Sequence, residues 1–308
     1  MEKIATRDGY GKALLEQGRK NKDIVALDAD LSESTKSIYF AKEFPERFFQ
    51  MGISEQNMIG TAAGLAAYGK IPFASSFCIF LERGFEQIRT TIARQNLNVK
   101  IVGSHGGLLT GEDGSSAQAL EDISIMRSLP NMVVIFPADA VETEKAVEAL
   151  VIHKGASYLR LGRGKVPVLF DKNYNFEIGK GVLMKEGEDV ALISTGSMLS
   201  EALKAAEELS KEKISARVIH IHTIKPIDKE IIIKAAKETK GIVTVEDHSI
   251  IGGLGSSVAE FLSESYPKKI IKVGVKDTFG ESGSADELYR KYGLTSEEII
   301  KSAKLAIK

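Results

Sequence analysis

Short apolar runs alternate with stretches of helical period along most of the first half of the chain. The apolar runs are rich in β-branched and aliphatic residues, which is typical of buried strands, and they span residues 23–30, 71–76, 98–104 and 132–136. Helices are predicted over residues 54–68, where Ser54 can cap the helix and Gly69 can end it, and over residues 139–154. This alternation predicts a mostly parallel sheet with helices on both faces.

A second series of strands and helices begins after residues 165–181, a polar, turn-rich segment without helical period that we predict to be a connector. The later predicted strands are 190–194, 216–220, 241–246 and 269–275, and the later predicted helices are 197–211, 229–240, 255–264 and 296–308. A chain of 308 residues also exceeds what one core usually holds. We therefore predict an α/β chain of two domains, 1–164 and 182–308, each a mostly parallel sheet with helices on both faces.

Composition excludes several classes of function. Lys and Arg number 41 against 42 Asp and Glu, so the charge balance gives no reason to expect a nucleic acid or an anionic membrane as partner. No apolar run approaches the ~20 residues of a membrane helix, and the polar segment MEKIATRDGY is unlike a signal peptide. The single cysteine, Cys78, excludes an internal disulfide and fits a reducing compartment. We therefore expect a cytoplasmic location.

Glu55 is the first candidate for chemistry. It lies in GISEQNM, at a predicted strand-to-helix junction, among apolar or small residues such as Ile53. Taken alone, this motif favours a simpler role, a carboxylate that interacts with the positive end of a helix dipole. Phe77 and Phe80 follow, three positions apart, so their rings could stack on a flat ligand or could be ordinary core residues.

Other candidates lie on a glycine-rich loop after a predicted strand. His105 and the segment GEDG at 111–114 are flanked by glycines that let the backbone approach a ligand closely. His105 can donate to a phosphate or hydroxyl group, and Asp113 can accept from a sugar hydroxyl, although a solvent-facing turn would have the same composition. His220 and His222 have no third ligand at metal spacing, so we expect a structural role for them.

The order and spacing of these motifs resemble the C-terminal half of a transketolase, over the whole chain. The matching segments are ATRDGYG (5–11), LDADLSES (27–34), MGISEQNM (51–58), SSFCIFLERGFEQIR (75–89), SHGGLLTGEDG (104–114), FPADAVE (136–142), YLRLGRG (158–164), VEDHSIIGGLG (245–255) and DTFGESG (277–283). The resemblance implies a pyrimidine-binding domain for thiamine diphosphate, followed by a Rossmann-like domain that shapes the dimer and does not contact the cofactor chemistry directly.

The resemblance also implies a role for each candidate residue. Glu55 matches the catalytic glutamate, whose carboxyl group binds N1′ of the aminopyrimidine, and His105 matches a further residue of the active site. The implied cofactor contacts are Asp30, Leu31, Ile53, Glu55, Phe77, Phe80 and Arg83. The implied substrate contacts are Arg7, Ser34, His105 and Asp113.

Two positions depart from the family pattern. Ala117, in GSSAQ, stands where the family has a histidine, and Phe136 stands where it has an arginine that binds substrate phosphate. We therefore expect a weaker preference for phosphorylated sugars, unless Arg83, Arg160 or Arg163 replaces the lost contact.

The sequence has no GDG triplet, the motif that begins the diphosphate site in that family. The resemblance therefore implies a separate N-terminal partner subunit that holds the diphosphate and Mg²⁺ through GDG and a downstream Asn, while this chain holds the aminopyrimidine end and supplies no metal ligand. It further implies an α2β2 assembly and the transfer of a two-carbon ketol unit between sugar phosphates in the pentose phosphate pathway.

Three alternatives stay open. A deoxyxylulose-phosphate synthase fragment is favoured slightly by Arg83. The β-subunit of a 2-oxo-acid dehydrogenase has a similar length, but the GEDG loop with Arg7 and Ser34 favours sugars over 2-oxo acids. A non-catalytic assembly or regulatory subunit would keep the fold, and the presence of Glu55 argues against it.

Overall fold

Alternating strands and helices make up the computed structural model, which describes residues 2–308. The strands are β1 Lys3–Ala5, β2 Ile24–Asp28, β3 Phe48–Gln50, β4 Ile71–Phe77, β5 Lys100–Ser104, β6 Val133–Ile135, β7 Ser157–Arg160, β8 Lys165–Pro167, β9 Val182–Lys185, β10 Val190–Ser194, β11 Ala216–His220, β12 Thr223–Lys225, β13 Gly241–Ser249 and β14 Ile270–Val275. The helices are α1 Thr6–Lys20, α2 Ser32–Thr35, α3 Ile38–Glu43, α4 Glu55–Ala67, α5 Cys78–Leu81, α6 Phe85–Gln87, α7 Asp122–Ser128, α8 Ala140–Ile152, α9 Leu199–Lys211, α10 Lys229–Glu238, α11 Leu254–Ser265, α12 Ala285–Tyr292 and α13 Ser296–Ala306.

The first sheet has the order β12-β6-β7-β5-β4-β2-β3, and all its pairs are parallel except β12 with β6. Side chains alternate between its two faces, as the period of a strand requires. Val25 and Leu27 of β2 pack with Met58 of α4 on one face, whereas Ala26 packs with Leu14 of α1 on the other. Both faces are therefore buried under helices, which is why the strands are nearly continuous apolar runs.

The second sheet has the order β14-β13-β10-β11-β9, and only its edge strand β9 is antiparallel. One of its faces packs against α9 and α13, and the other packs against α10 and α11. The predicted fold class, an α/β chain with two mostly parallel sheets covered by helices, is confirmed.

Several details differ from the sequence-based expectations. Strand β12, from the second half of the chain, extends the first sheet, and β8, inside the expected connector, pairs with β1. Helix α4 begins at Glu55, but the Ser54 hydroxyl makes no capping hydrogen bond. Helix α1 was not predicted, because its glycines interrupt the apolar period. Gly9 is required there since a Cβ would overlap the Ala140 backbone. The exact domain limits stay a prediction.

Within residues 2–308, no helix combines the length and the apolar character needed to cross a membrane.

Candidate functional site

Glu55 lies at the start of α4 and borders a cleft. Its side chain is only 4% exposed, although the cleft beside it has a volume of about 530 Å³. The residues lining this cleft are Ile53, Ser54, Glu55, Gln56 and Arg83. Arg83 Nη1 lies 3.6 Å from Glu55 Oε2, and the Arg83 side chain is 59% exposed. A mostly buried carboxyl group thus lies next to one solvent-exposed cation, Arg83, and one exposed apolar side chain, Ile53.

Phe77 and Phe80 come together as the sequence predicted. Their rings are nearly parallel, with centroids 5.3 Å apart, and the Arg83 guanidinium lies 5.0 Å from the centre of the Phe80 ring. Phe77 also stacks on the His105 imidazole at a centroid distance of 3.6 Å. Since Phe77 is only 8% exposed, the half-buried Phe80 offers the larger aromatic surface to a ligand. A series of contacts from Arg83 to Phe80, Phe77 and His105 thereby connects the Glu55 cleft with the glycine-rich loop.

His105 is held in a strained backbone conformation at the start of that loop, with φ of 62°. Its Nδ1 lies 2.9 Å from the Ser104 hydroxyl, and its Nε2 lies 3.9 Å from Asp113 Oδ2. Burial, together with the positive charges of Arg7 and Arg163, lowers the pKa of His105 to about 3. The imidazole is therefore neutral at physiological pH, so one ring nitrogen donates and the other accepts.

Two arginines stand beside His105 and Asp113. Arg7 Nη1 donates to the Ser34 carbonyl at 3.0 Å, so Ser34 contributes its backbone oxygen to this contact, and its hydroxyl remains available. Arg163 Nη2 lies 3.8 Å from Asp113 Oδ1, while its Nη1 donates to Glu112 at 2.7 Å. Burial lowers the pKa of Arg7. Guanidinium groups, a neutral imidazole and a carboxylate in one place can bind an anionic group and a hydroxyl group together.

Asp30 and Leu31 lie on the turn after β2, next to the segment that leads to Glu55. The amide of Asp30 donates to the Gln50 side chain at 2.8 Å, and the amide of Leu31 donates to the buried Asp28 carboxylate at 2.6 Å. Asp30 has a positive φ of 63°. Sequence reasoning missed Asp28 and Gln50, although the LDAD alternation marks Asp28 as a polar group within a buried strand.

The structure explains how Phe136 is accommodated where the family has an arginine. Phe136 is 2% exposed, with the Arg160 guanidinium 4.4 Å from its ring centre and Gly196 of the second domain against its edge. Arg160 is itself fully buried and donates to Asp122 at 2.8 Å. Neither position 136 nor Arg160 is therefore open to a substrate. Of the three arginines considered as replacements, Arg163 is the one beside Asp113.

The paired histidines have structural contacts. His220 Nε2 lies 2.8 Å from Glu142 Oε2, and both side chains are fully buried. Across residues 2–308, no group of three or more His, Cys, Asp or Glu side chains is arranged to hold a metal ion.

Residues 2–168 match the family model of the transketolase pyrimidine-binding domain, and residues 179–299 match that of the transketolase C-terminal domain. The chain belongs to the transketolase family. This family depends on thiamine diphosphate, and the chain contains its pyrimidine-binding domain.

Similar proteins cover this transketolase-family chain almost from end to end. A Methanocaldococcus jannaschii protein, named provisionally as a transketolase C-terminal section, is 52% identical over 96% of this chain and 94% of its own length. A Clostridium sp. protein named as a 6-deoxy-6-sulfo-D-fructose transketolase subunit is 43% identical over 98% and 94%. A solved split-gene transketolase, described as an inactive β4 tetramer, has 51% identity and a TM-score of 0.93 over 99% of this chain and 98% of that chain. The chain thus corresponds to the C-terminal subunit of a split transketolase.

Proposed function

We propose that this chain is the catalytic C-terminal half of a two-chain transketolase that transfers a two-carbon ketol unit from a ketose phosphate to an aldose phosphate. One observation carries the proposal. Phe77 stacks on Phe80, which lies beside Arg83 of the Glu55 cleft, and it also stacks on His105, which lies beside Arg7 and Arg163, called the arginine group here. A candidate cofactor site and a candidate sugar site are thus adjacent, as a reaction between cofactor and sugar requires.

The residues at the cleft fit the aminopyrimidine end of thiamine diphosphate. Glu55 and Ile53 line the cleft and offer a carboxyl group that is shielded from water and an apolar contact. Phe80, beside the cleft residue Arg83, offers an aromatic face. When bound, this cofactor supplies the carbanion chemistry of two-carbon transfer. Glu55 would hold a proton at N1′ of the ring, and Asp30 and Leu31, on the adjacent turn, would support the bent cofactor. Because Glu55 is almost fully buried, water competes little for that hydrogen bond.

The chain has no GDG triplet, the motif that begins the diphosphate site in this family. We propose that an N-terminal partner subunit binds the diphosphate and Mg²⁺, and that two copies of each chain assemble as α2β2. Arg83, which is exposed and lies between Glu55 and Phe80, is then the cation of this chain closest to the bound cofactor. We place the assembly in the cytoplasm and in the pentose phosphate pathway.

The arginine group fits the anionic end of a sugar substrate. Arg7 and Arg163 would bind a phosphate, the Ser34 hydroxyl could donate to it, and neutral His105 and Asp113 would bind sugar hydroxyls. His105 also faces the reacting end through its stack on Phe77, so it can orient the hydroxyl groups next to the cofactor. A sulfonate has the same tetrahedral, anionic shape, and one relative is named for a sulfo sugar. Both kinds of ketose are therefore included in the test below.

A non-catalytic subunit is the second candidate. It is favoured by Ala117 and Phe136, which replace a histidine and an arginine of the family pattern. The position of Arg163 beside Asp113 weakens that argument, since a guanidinium is still available for phosphate. A 2-oxo acid has its carboxylate directly on the reacting carbonyl carbon, so it would leave Arg7 and Arg163, on the His105 side of Phe77, without an anion to bind. These features favour sugar phosphates.

Reconstitution tests the proposal. The chain is mixed with an N-terminal transketolase subunit that carries GDG, with thiamine diphosphate, Mg²⁺ and an acceptor aldose phosphate. The release of the donor's aldose product is measured with a ketose phosphate and with a 6-sulfo ketose as alternative donors. We expect turnover by the mixture and none by either chain alone. The mixture made with Glu55→Ala should lose this turnover. Glu297→Ala, which removes an exposed first-turn glutamate of α13, is the control that should keep full activity. A mixture that forms a stable complex and has no turnover on either sugar would favour the non-catalytic subunit.

A further inference from the structure

The second domain reaches the glycine-rich loop through a buried carboxylate. Asp247 lies on β13 and is fully buried. Its Oδ1 accepts a hydrogen bond from the Leu108 amide at 2.8 Å, and its Oδ2 accepts one from the Leu109 amide at 3.2 Å. Residues 105–114, which carry His105 and Asp113, are called the substrate loop below. One carboxylate of the second domain thus holds two consecutive amides of the substrate loop.

Tyr289 of α12 fixes the Asp247 carboxylate from the other side. The Tyr289 hydroxyl donates to Asp247 Oδ2 at 2.9 Å and lies 3.1 Å from the Ser197 hydroxyl. Gly107 is required next to this carboxylate, because its φ is 80° and a Cβ would overlap the carboxylate oxygens. The Leu108 side chain is buried in the hydrophobic core of the second domain. The start of the loop is therefore anchored in a domain other than the one that carries the candidate cofactor site.

Further hydrogen bonds link this anchored part of the loop to the functional side chains. Thr110 Oγ1 donates to the His105 carbonyl at 2.8 Å, and Arg163 donates to the Thr110 carbonyl at 2.9 Å. Gln118 Nε2 bridges the carbonyls of Gly111 and of Glu281, a second-domain residue, at 3.1 and 2.9 Å. Both ends of the stretch between His105 and Asp113 are thus tied to the second domain.

We propose that Asp247, held by Tyr289, is a positioning residue for the sugar substrate. It fixes the substrate loop so that His105 and Asp113 face Arg7 and Arg163. The role deepens the proposed function and rests on it, since it concerns the sugar that the substrate loop would bind. It gives the second domain a part in substrate binding in addition to shaping the assembly.

Tyr289→Phe in the two-chain complex is the first test, because it removes one hydroxyl and keeps the packing of α12. The expected result is a rise of about 10-fold in the KM for a ketose phosphate, the scale of one hydrogen bond to a charged group, with an unchanged affinity for thiamine diphosphate. Asp247→Asn should have the larger effect, because it replaces one of the two accepting oxygens with an NH2 group, which cannot accept from a loop N–H. Tyr266→Phe, on the surface of the same domain, is the matched control and should change neither constant.

Amide hydrogen exchange in the same complexes separates this inference from the proposed function. Exchange at residues 106–114 should become faster in Tyr289→Phe and Asp247→Asn, while exchange in β10 stays as in the wild type. Unchanged loop exchange, or faster loop exchange with an unchanged KM, overturns the positioning role. A wild-type complex without turnover overturns the proposed function and, with it, the inference that the loop is positioned for a sugar substrate. The exchange rates of the loop amides still decide whether Asp247 fixes the loop. If Asp247→Asn fails to fold, Tyr289→Phe provides both measurements.

Discussion

Replacing Arg163 with Met should remove most of the preference for phosphorylated sugars. A hydrogen bond to a charged group contributes about 1.5–3 kcal/mol, and about 1.4 kcal/mol corresponds to a tenfold change. The Arg163 side chain is 34% exposed and already donates to Glu112 and to the Thr110 carbonyl, so the lower end of this range applies. We therefore expect the ratio of kcat/KM for a ketose phosphate to that for the free ketose to fall about 10-fold.

The assay is the steady-state rate of the two-chain complex with a ketose phosphate and its unphosphorylated ketose as alternative donors. Turnover of the free ketose should change little, because Arg163 would bind only the anionic end. Arg89→Met, which removes an exposed arginine of the same domain, is the control that leaves the ratio unaltered. An Arg163→Met complex with the wild-type ratio would refute the phosphate role and would leave Arg7 as the remaining candidate.

The remaining predictions concern the cofactor, the core and pH. The chain alone should not bind thiamine diphosphate tightly, because it offers no ligands for the diphosphate and metal; calorimetry showing micromolar binding would contradict this. Phe136→Arg should lower the free energy of unfolding by about 3 kcal/mol or more in denaturant titration, and not increase phosphate preference, because it buries a second guanidinium against Arg160. The pKa of His105 is lowered from 6.5 to about 3. Its contribution to stability is therefore complete above pH 6.5 and is lost as the pH falls towards 3. His105→Gln should weaken the pH dependence of the free energy of unfolding in this window.

Strands with strong local signals could be predicted to the residue. Strands β10 and β11 have the bounds that their apolar runs predicted. Strand β12 could not be predicted, because it has three residues and its place is set by pairing with β6, about 90 residues earlier in the chain. Helix α1 was missed because its glycines interrupt the apolar period. They serve close packing, Gly9 against α8 and Gly11 and Gly18 against residues 36–44. Local patterns thus specify the individual strands and helices, whereas long-range contacts decide which strands complete the edges of the sheets.

In the candidate site, too, some contacts could be predicted from the sequence and others depend on the fold. The proximity of Phe77 to Phe80, and of Phe80 to Arg83, follows from their three-residue spacing in the sequence. The meeting of Arg7 with Arg163 depends on the fold, since more than 150 residues separate them. The resemblance placed Phe136 at a position that contacts substrate phosphate, whereas the structure places it in the core, under Arg160. The roles of all these residues stay predictions until they are tested.

The central claim is that Glu55 holds a proton at the aminopyrimidine ring of a cofactor shared between two chains. The most direct test is the exchange rate of the C2 proton of thiamine diphosphate, measured by rapid quench and NMR in complexes made with wild type or Glu55→Gln. Glutamine keeps the shape but cannot share a proton, so the rate should fall at least about 100-fold with unchanged cofactor affinity. Equal exchange rates in the two complexes would contradict the claim, whatever the overall turnover.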